Sequence, residues 1–289
     1  MLVVPRFVPT QSLRAKLYRS FSWPLIDDLR SPIEVSSIGG RMDVDTGDVV
    51  GRVLAATGVW EPHVTEAFRQ RLRPGDVLID VGAHVGYYTL LGSKLVGTAG
   101  HVYAFEPSPG AYRALNANLA LNTPTNVTAL NVAAGAVEGS TILYEAPGSS
   151  VNSSISPRLL ESPHAGKSED YRGVEVHVRA VDSLVPVDAF SRVRMIKVDV
   201  EGYEVETLRG VEQILAVGEP IALIVELSPD WSLQEPAQFV EGLCRRHGLT
   251  PFLLVNEYSL DGYFPVRIEP PVLIERIPSG RCDLLLTRG

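Results

Sequence analysis

From Asp76 onward the sequence alternates short apolar runs with segments of helical spacing, and this alternation limits the possible folds more than any other feature. The strand-like runs are "VLIDVG", "HVYAFEP", "VTALNVAAG", "RMIKVDVEG", "PIALIVELSP", "PFLLVN" and "CDLLLTR". The helical segments between them are "YYTLLGSKLV", "AYRALNANLALN", "YEVETLRGVEQIL" and "AQFVEGLCRRHG". This order predicts an α/β fold with a mainly parallel sheet. Because the runs are apolar throughout, we expect helices on both faces of the sheet.

The chain before this pattern predicts an extension. Residues 1–30 have helical spacing, "IEVSSIGGRMDVDTGDVVGRVL" predicts a hairpin around Gly39-Gly40, and "EPHVTEAFRQRL" predicts a second helix. We therefore divide the chain into an N-terminal helix–hairpin extension, residues 1–74, and an α/β domain, residues 75–289. A Ser/Pro/Gly-rich loop of about 145–173 interrupts that domain between two strand-like pieces. Loops of this length are functional lids or disordered, and the sequence leaves both open.

Composition excludes several classes of protein. The formal net charge is −8 and no stretch concentrates Lys and Arg, so the electrostatic signature of a nucleic-acid binder is missing. No apolar run reaches the ~20 residues that a membrane-spanning helix needs. Cys244 and Cys282 lie far apart without metal-ligand spacing, which is typical of free thiols in a reducing compartment. We expect a cytoplasmic protein, and the N-terminal extension leaves room for a homodimer.

Acidic residues stand where four of the predicted strands end. They are Asp80, Glu106, Asp199 and Glu226. Ligands of open α/β sheets bind in the crevice beyond the carboxyl ends of the strands. A single acid there can cap a helix N-terminus, but four at four strand ends favour a ligand site.

The stretch "DVLIDVGAHVGYYTLLG" resembles the start of a nucleotide site but departs from the dinucleotide pattern G-x-G-x-x-G. Gly82 and Gly86 are present, whereas His84 and Tyr87 stand where the other glycines would be. A pyrophosphate would therefore meet side chains. Glu106 follows Gly86 by about twenty residues, where an acid binds a ribose diol. The pattern predicts a nucleoside ligand without a diphosphate, such as S-adenosylmethionine (SAM).

Further motifs extend this similarity to a family. The segments "VDTGDVVGRVLAATGVWEPHVTEAF", "PGDVLIDVGAHVGYYTLL", "VYAFEPSP", "LNVAAG", "IKVDVEGYEVETLRG" and "IVELSP" together resemble the FkbM-type SAM-dependent O-methyltransferases. The resemblance runs from about Asp45 to Pro229. It implies a Rossmann-like seven-stranded SAM-methyltransferase sheet, mainly parallel with the last strand antiparallel. It also implies that Trp60 and Glu61 form the floor of the substrate pocket.

The same resemblance implies a set of cofactor-binding residues. Glu106 would bind the ribose hydroxyls and Ala133 would lie along the adenine. The loop under the methionine part would be formed by Asp80, Gly82, His84 and Gly86. His84 replaces the family's usual Asn, and Ser228 stands where a His often follows the acid of "VEL". The first departure changes the polar contact of the loop, and the second leaves the catalytic base unassigned.

The segment "IKVDVEG" supplies the candidate catalytic residues. Lys197, Asp199 and Glu201 occupy alternate positions, so they point the same way if the strand continues to its exit. A lysine in a buried strand needs a partner, so Lys197 either forms a structural ion pair or poises a catalytic acid. We place Asp199 first at the methyl-transfer centre, supported by Glu201 and Glu226.

Four questions stay open at this point. Asp199 and Glu226 have the ligand chemistry to hold a Mg²⁺ ion. His84 is either a general base or only a hydrogen-bonding member of the loop. The acceptor is predicted to be a hydroxyl of a sugar, an oligosaccharide or a glycosylated metabolite, with a polyketide or macrolide hydroxyl second. An NAD-dependent oxidoreductase and a non-catalytic SAM-binding module are the competing classes.

Overall fold

The computed structural model describes six segments of the chain. They are residues 30–145, 153–157, 171–218, 220–228, 235–255 and 268–289. The helix predicted over residues 1–30 and most of the 145–173 loop lie outside the described residues, so both stay predictions.

Strands and helices alternate through most of the described chain. The strands are β1 (Arg30–Val35), β2 (Gly40–Asp45), β3 (Val77–Val81), β4 (His101–Phe105), β5 (Val127–Leu130), β6 (Ala133–Ala134), β7 (Gly139–Glu145), β8 (Ser153–Ser154), β9 (Arg172–Arg179), β10 (Val193–Val198), β11 (Ile221–Leu227), β12 (Thr250–Leu254), β13 (Val272–Leu273) and β14 (Cys282–Arg288). The helices are α1 (Val49–Thr57), α2 (Pro62–Arg71), α3 (Tyr87–Val96), α4 (Pro109–Asn122), α5 (Glu204–Arg209), α6 (Glu212–Val217) and α7 (Pro236–His247). Two short 3-10 helices, Val181–Ser183 and Val187–Arg192, precede β10.

The main sheet has the order β13-β12-β14-β11-β10-β3-β4-β5. Strands β5, β4, β3, β10 and β11 run parallel, whereas β14 is antiparallel to both β11 and β12. The prediction of a mainly parallel α/β sheet with an antiparallel last strand is confirmed. In the described residues the two-residue β13 adds an eighth strand at the edge. The strand order reverses between β3 and β10, which creates a crevice at their carboxyl ends.

Apolar side chains alternate between the two faces of this sheet and build a core on each. Val77, Ile79 and Val81 of β3 pack on one side, in a core that also includes residues of α5, α6 and α7. Leu78, between them in sequence, packs on the other side with Met42 and other residues of the extension. The extension thus shares a core with the sheet. The domain division at residue 74 stays a prediction.

The extension confirms the predicted hairpin and corrects its length. β1 and β2 pair antiparallel, with Val35 opposite Gly40, and Gly39 in the turn has a left-handed φ of 57°. The alternating pattern was extended too far, because helix α1 begins at Val49. The carboxylate of Asp48 accepts hydrogen bonds from the first-turn amides of α1 and caps it.

Two predicted elements are each divided in two. The strand predicted over 127–135 ends at Leu130, and Asn131 donates to the carbonyls of Glu106 and Pro107. Ala133–Ala134 then joins a second sheet of order β6-β9-β7-β8. The helix predicted over 203–215 breaks at Gly210, where a Cβ would collide with a backbone carbonyl of the segment after β6. Tertiary contacts decide both breaks.

Candidate active site

The turn between β3 and α3 is shaped by backbone contacts. The N–H groups of Gly82 and Ala83 both donate to the carbonyl of Phe105. Gly82 has a φ of 76°, and a Cβ at this position would collide with the carbonyl of Asp199. Glycine is therefore required at position 82 both by its left-handed backbone and by the close approach of the chain after β10.

Asp80 and Gly86 support this turn from within the protein. Asp80 is fully buried and accepts a hydrogen bond from the Thr89 hydroxyl at 2.6 Å. Its other oxygen, Oδ1, has no hydrogen-bond partner among the described residues. Burial raises the pKa of Asp80, and the charge of Lys197 opposes that rise. Gly86 has a φ of 93° and precedes α3. The direct contact of both residues with the cofactor stays a prediction.

Glu106 clamps the turn through its carboxylate. It follows β4 and is only 6% exposed. Oε2 accepts from the N–H of His84 at 2.7 Å, and Oε1 accepts from the N–H of Ser108 at 2.8 Å. Burial raises the pKa of Glu106 to about 7, while these two amides oppose the rise. When ionised, the carboxylate has lone pairs for further hydroxyl donors.

A cavity of about 500 Å³ lies beyond the carboxyl ends of the central strands, a volume typical of small-molecule sites. We distinguish two halves by their residues. The loop half consists of Gly82, His84, Glu106 and Ala133. The ion-pair half consists of Glu61, Lys197, Asp199, Glu201, Glu226 and Arg281. The structure thus brings eight of the ten predicted site residues to one cavity, whereas Asp80 and Gly86 are not among its lining residues.

Lys197 and Asp199 form an ion pair in the ion-pair half. Lys197 is 4% exposed, and its Nζ donates to Asp199 Oδ2 at 3.0 Å. Burial alone would lower the pKa of Lys197, but Asp199, Asp80 and Glu61 outweigh it and raise the pKa. Burial alone would raise the pKa of Asp199, but Lys197 outweighs it and lowers the pKa. Both groups are therefore charged at neutral pH, which makes Asp199 a weak proton acceptor.

Glu201 reaches the cavity by a different route from the predicted one. β10 ends at Val198, and Glu201 has a left-handed φ of 49° in the following turn. The expectation that the strand continues to Glu201 is therefore wrong. Its Oε1 accepts from Arg281 at 3.0 Å and its Oε2 from the Ser228 hydroxyl at 3.0 Å. Ser228, which stands at the family's His position, thus positions a carboxylate.

Arg281 joins Glu201 to Glu226. Its Nε donates to Glu226 Oε1 at 2.7 Å, and a second guanidinium nitrogen contacts the same oxygen. Burial first, and then repulsion from Asp199, raises the pKa of Glu201 to about 7. Burial first, and then the neighbouring acids, raises the pKa of Glu226 well above its ordinary value. The guanidinium charge opposes both shifts and fixes the two carboxylates in place.

Glu61 comes to the cavity from the extension. It is 4% exposed, and its Oε2 accepts a hydrogen bond from the Tyr88 hydroxyl at 2.7 Å. Burial first, and then repulsion from Asp283 and Asp199, raises the pKa of Glu61 to about 8. Trp60 lines the cavity beside it. The pocket lining therefore includes a carboxylate that is largely protonated at neutral pH.

Backbone strain concentrates around this cavity. In the described part of the chain, four residues other than glycine have a positive φ: Glu61 (38°), His84 (50°), Thr123 (47°) and Glu201 (49°). All but Thr123 line the cavity. Such conformations cost of order 1–3 kcal/mol and cluster at functional sites.

For His84, burial lowers the pKa, so the imidazole is neutral at physiological pH.

Arg281 and Tyr88 are the site residues that the sequence did not reveal. The sequence did contain a signal for Arg281, because this residue directly precedes the predicted antiparallel last strand. Leu227 pairs with Cys282 in that register, so the residue before β14 lies at the carboxyl end of β11, next to Glu226. No sequence pattern distinguishes Tyr88 from an apolar residue that packs in the first turn of α3.

Comparison with known proteins identifies a family. The Methyltransferase FkbM domain matches residues 80–248, more than half of the chain. The hexuronic acid methyltransferase AglP of Haloferax volcanii is 28% identical over 189 residues, 65% of this chain and 71% of that protein. Methyltransferase sdnD of Sordaria araneosa is 31% identical over 157 residues, 47% of this chain and 60% of that protein.

A solved structure, the methyltransferase FkbM of Methylobacillus flagellatus, is 13% identical, with a TM-score of 0.46. The alignment covers 95% of this chain and 60% of that one. The family match and the two methyltransferase relatives do not support the NAD-dependent alternative. Among the described residues, no helix has the length and apolarity to cross a membrane. The homodimer, the absence of a nucleic-acid partner and the cytoplasmic location stay predictions.

Proposed function

The chain belongs to the FkbM methyltransferase family and is a SAM-dependent methyltransferase, and we propose that its acceptor is a hydroxyl of a sugar, an oligosaccharide or a glycosylated metabolite. The observation that carries this proposal is the ion-pair half of the cavity. Its carboxylates accept hydrogen bonds and its two cations donate them, which suits a ligand with several hydroxyls. The similarity to a hexuronic acid methyltransferase supports the same acceptor class.

The residues of the loop half fit the cofactor. Ionised Glu106 offers lone pairs to a ribose diol, while the hydrogen bonds that it accepts from two backbone N–H groups hold its carboxylate in place. Ala133, buried at the cavity wall, has a side chain small enough to leave room for a flat base. When bound, SAM supplies an electrophilic methyl group.

We assign to the ion-pair half the role of positioning the acceptor hydroxyl. In-line transfer requires the acceptor oxygen to be held on the axis of the bond that breaks. Asp199 stays ionised beside Lys197 and offers a fixed hydrogen-bond acceptor. Arg281 holds Glu201 and Glu226 in one orientation. Three carboxylates fixed by two cations form a rigid surface for orienting neighbouring hydroxyls, which favours one of them for methylation.

Metal-independent transfer is the form of the reaction that we favour. Asp199, Glu201 and Glu226 each offer an oxygen within 4.8 Å of the others, which is suitable chemistry for Mg²⁺. Lys197 and Arg281, however, already form ion pairs with all three carboxylates. A divalent ion would have to displace the guanidinium from two carboxylates.

An acceptor panel tests the proposal. Purified protein would receive SAM with an isotopically labelled methyl group and, in parallel, uronic acid glycosides, neutral glycosides, their aglycones and a macrolide. We expect labelled product from the glycosides, detected by mass spectrometry, and none from the aglycones. Labelling of the macrolide alone would replace the sugar acceptor with the polyketide alternative. Cofactor binding without labelling of any compound would favour a non-catalytic SAM-binding module.

A further inference from the structure

We propose that Glu61, which the N-terminal extension places in the cavity, accepts the proton of the acceptor hydroxyl during methyl transfer. This inference rests on the proposed function. The hydroxyl oxygen forms a bond to the methyl carbon with its lone pair, and the electron pair of the broken methyl–sulfur bond stays on the sulfur. The O–H proton passes to a carboxylate oxygen of Glu61. The sulfonium loses its positive charge as the carboxylate loses its negative charge, so the step balances.

The position of Glu61 is the first argument. The residue lies outside the segment 80–248 that the family match covers, yet its side chain lines the same cavity as Lys197 and Asp199. It is 4% exposed, and its backbone at the start of α2 is held at a φ of 38°. Burying a carboxylate on a strained backbone carries two costs. A residue that serves only to begin a helix requires neither a buried carboxylate nor a strained backbone.

The second argument comes from the other carboxylates of the ion-pair half. Asp199 is paired with Lys197, and Glu201 and Glu226 are both held by Arg281. The pKa of Asp199 is lowered by Lys197, so Asp199 is a weak base. Arg281 fixes the orientation of Glu201 and Glu226 through hydrogen bonds, which suits these two carboxylates to orienting ligands.

Glu61 has a different electrostatic environment. Among the described residues, the charged and titratable groups that act on Glu61 include Lys197 of β10, Asp199 directly after it, Asp283 of β14 and Tyr88 of α3. Burial and the two aspartates together outweigh the attraction of Lys197 and the Tyr88 hydrogen bond, giving a pKa of about 8. A base is most effective when its pKa lies near the working pH. Glu61 meets that condition, and the hydrogen bond that it accepts from Tyr88 comes from a neutral hydroxyl.

The test uses Glu61→Gln in the full chain, with Glu66→Gln on the same helix as matched control because Glu66 does not line the cavity. Single-turnover transfer at saturating SAM and acceptor should fall by roughly 10²–10⁴-fold in Glu61→Gln, the usual contribution of a general base. Calorimetric affinity for S-adenosylhomocysteine should stay within about threefold. The wild-type rate should rise as the pH increases through about 8, since Glu61 must be ionised, and this rise should be missing in the variant.

A second variant separates catalysis from structure. Tyr88→Phe removes the hydrogen bond that stabilises ionised Glu61, so the rise in rate should move to higher pH while the maximal rate is largely kept. Infrared spectroscopy should detect a carboxyl group in the wild type that titrates near pH 8 and is missing in Glu61→Gln. This readout needs no turnover. It also applies if the Glu61→Gln protein is inactive for other reasons.

A Glu61→Gln rate within about threefold of wild type, with the alkaline rise intact, would overturn the proposal. An unshifted pH profile in Tyr88→Phe would do the same, even if Glu61→Gln does not fold. Failure of the proposed function has a different signature. In that case the wild-type protein would not bind S-adenosylhomocysteine or would label no hydroxyl acceptor.

Discussion

The two halves of the cavity are built in opposite ways. The loop half is held by backbone: amides of the β3–α3 turn donate to Phe105 and to the carboxylate of Glu106. The ion-pair half is held by side chains, with Lys197 and Arg281 each fixing one or two carboxylates. The first half comes from the β3–α3 turn, the end of β4 and Ala133. The second combines residues as far apart in sequence as Glu61 and Arg281.

This difference suggests a division of labour. A cofactor common to a family can be bound by backbone geometry, which tolerates changes in side chains. An acceptor that differs between members needs side chains that can be exchanged one at a time. Glu61 and Arg281 both lie outside the segment matched by the family. We therefore expect acceptor choice to depend on the residues of the ion-pair half, and the comparison can be tested from each side.

The largest expected effect is on the ion-pair half. Lys197→Met leaves Asp199 and buried Asp80 without their cation, and removing one partner of a buried pair typically costs about 3–5 kcal/mol of unfolding free energy. Urea unfolding would measure this loss. Lys94→Met is the control, since Lys94 is exposed, and should stay within about 0.5 kcal/mol of wild type. A loss below about 1 kcal/mol in Lys197→Met would mean that the pair does not hold this half together.

A smaller effect is expected from Arg281→Gln. The change removes charged hydrogen bonds worth about 1.5–3 kcal/mol, so kcat/KM for the acceptor should fall roughly 10–100-fold. Affinity for S-adenosylhomocysteine should change less than about threefold, because the loop half is untouched. Exposed Arg276→Gln is the matched control. Equal losses in acceptor turnover and cofactor affinity would contradict the separation of the two halves.

The loop half should instead respond to pH. Glu106 has a pKa raised to about 7 and accepts ribose hydroxyls best when ionised. Affinity for S-adenosylhomocysteine should therefore rise about tenfold between pH 6 and pH 8, the change in the ionised fraction of such a group. Calorimetry on Glu106→Gln should give a flat profile over that range. A wild-type profile that is flat as well would place the ligand away from this carboxylate.

The smallest expected effect is that of metal removal. Since Lys197 and Arg281 already form ion pairs with three acids of the ion-pair half, dialysis against EDTA should leave turnover within about twofold of the untreated enzyme. Loss of activity that added Mg²⁺ restores would show that a cation completes this half.

Sequence reasoning predicts best what is local or periodic. The strands and helices around the β3–α3 turn follow from apolar patterning, and Gly82 follows from the turn that it must form. These features need no knowledge of which segments meet in space. The antiparallel direction of the last strand does need it, and only the family resemblance predicts it.

Tertiary contacts account for the remainder. The break at Gly210 depends on a chain segment that packs against it, and the early end of β10 places Glu201 in a turn instead of a strand. The role of Glu61 depends on α2 meeting α3 and β10. Each of these contacts joins segments that are distant in sequence, where periodicity carries no information.

The most direct test of the central claim is calorimetric titration of S-adenosylhomocysteine into the wild type and Glu106→Ala, with NAD as comparison ligand. Glu175→Ala, a change at an exposed glutamate of β9, is the control variant. We predict micromolar binding to the wild type and the control, weakened at least tenfold in Glu106→Ala by loss of charged hydrogen bonds, and no binding of NAD. Undiminished binding to Glu106→Ala, or a preference for NAD, would contradict the assignment of the loop half as the cofactor site.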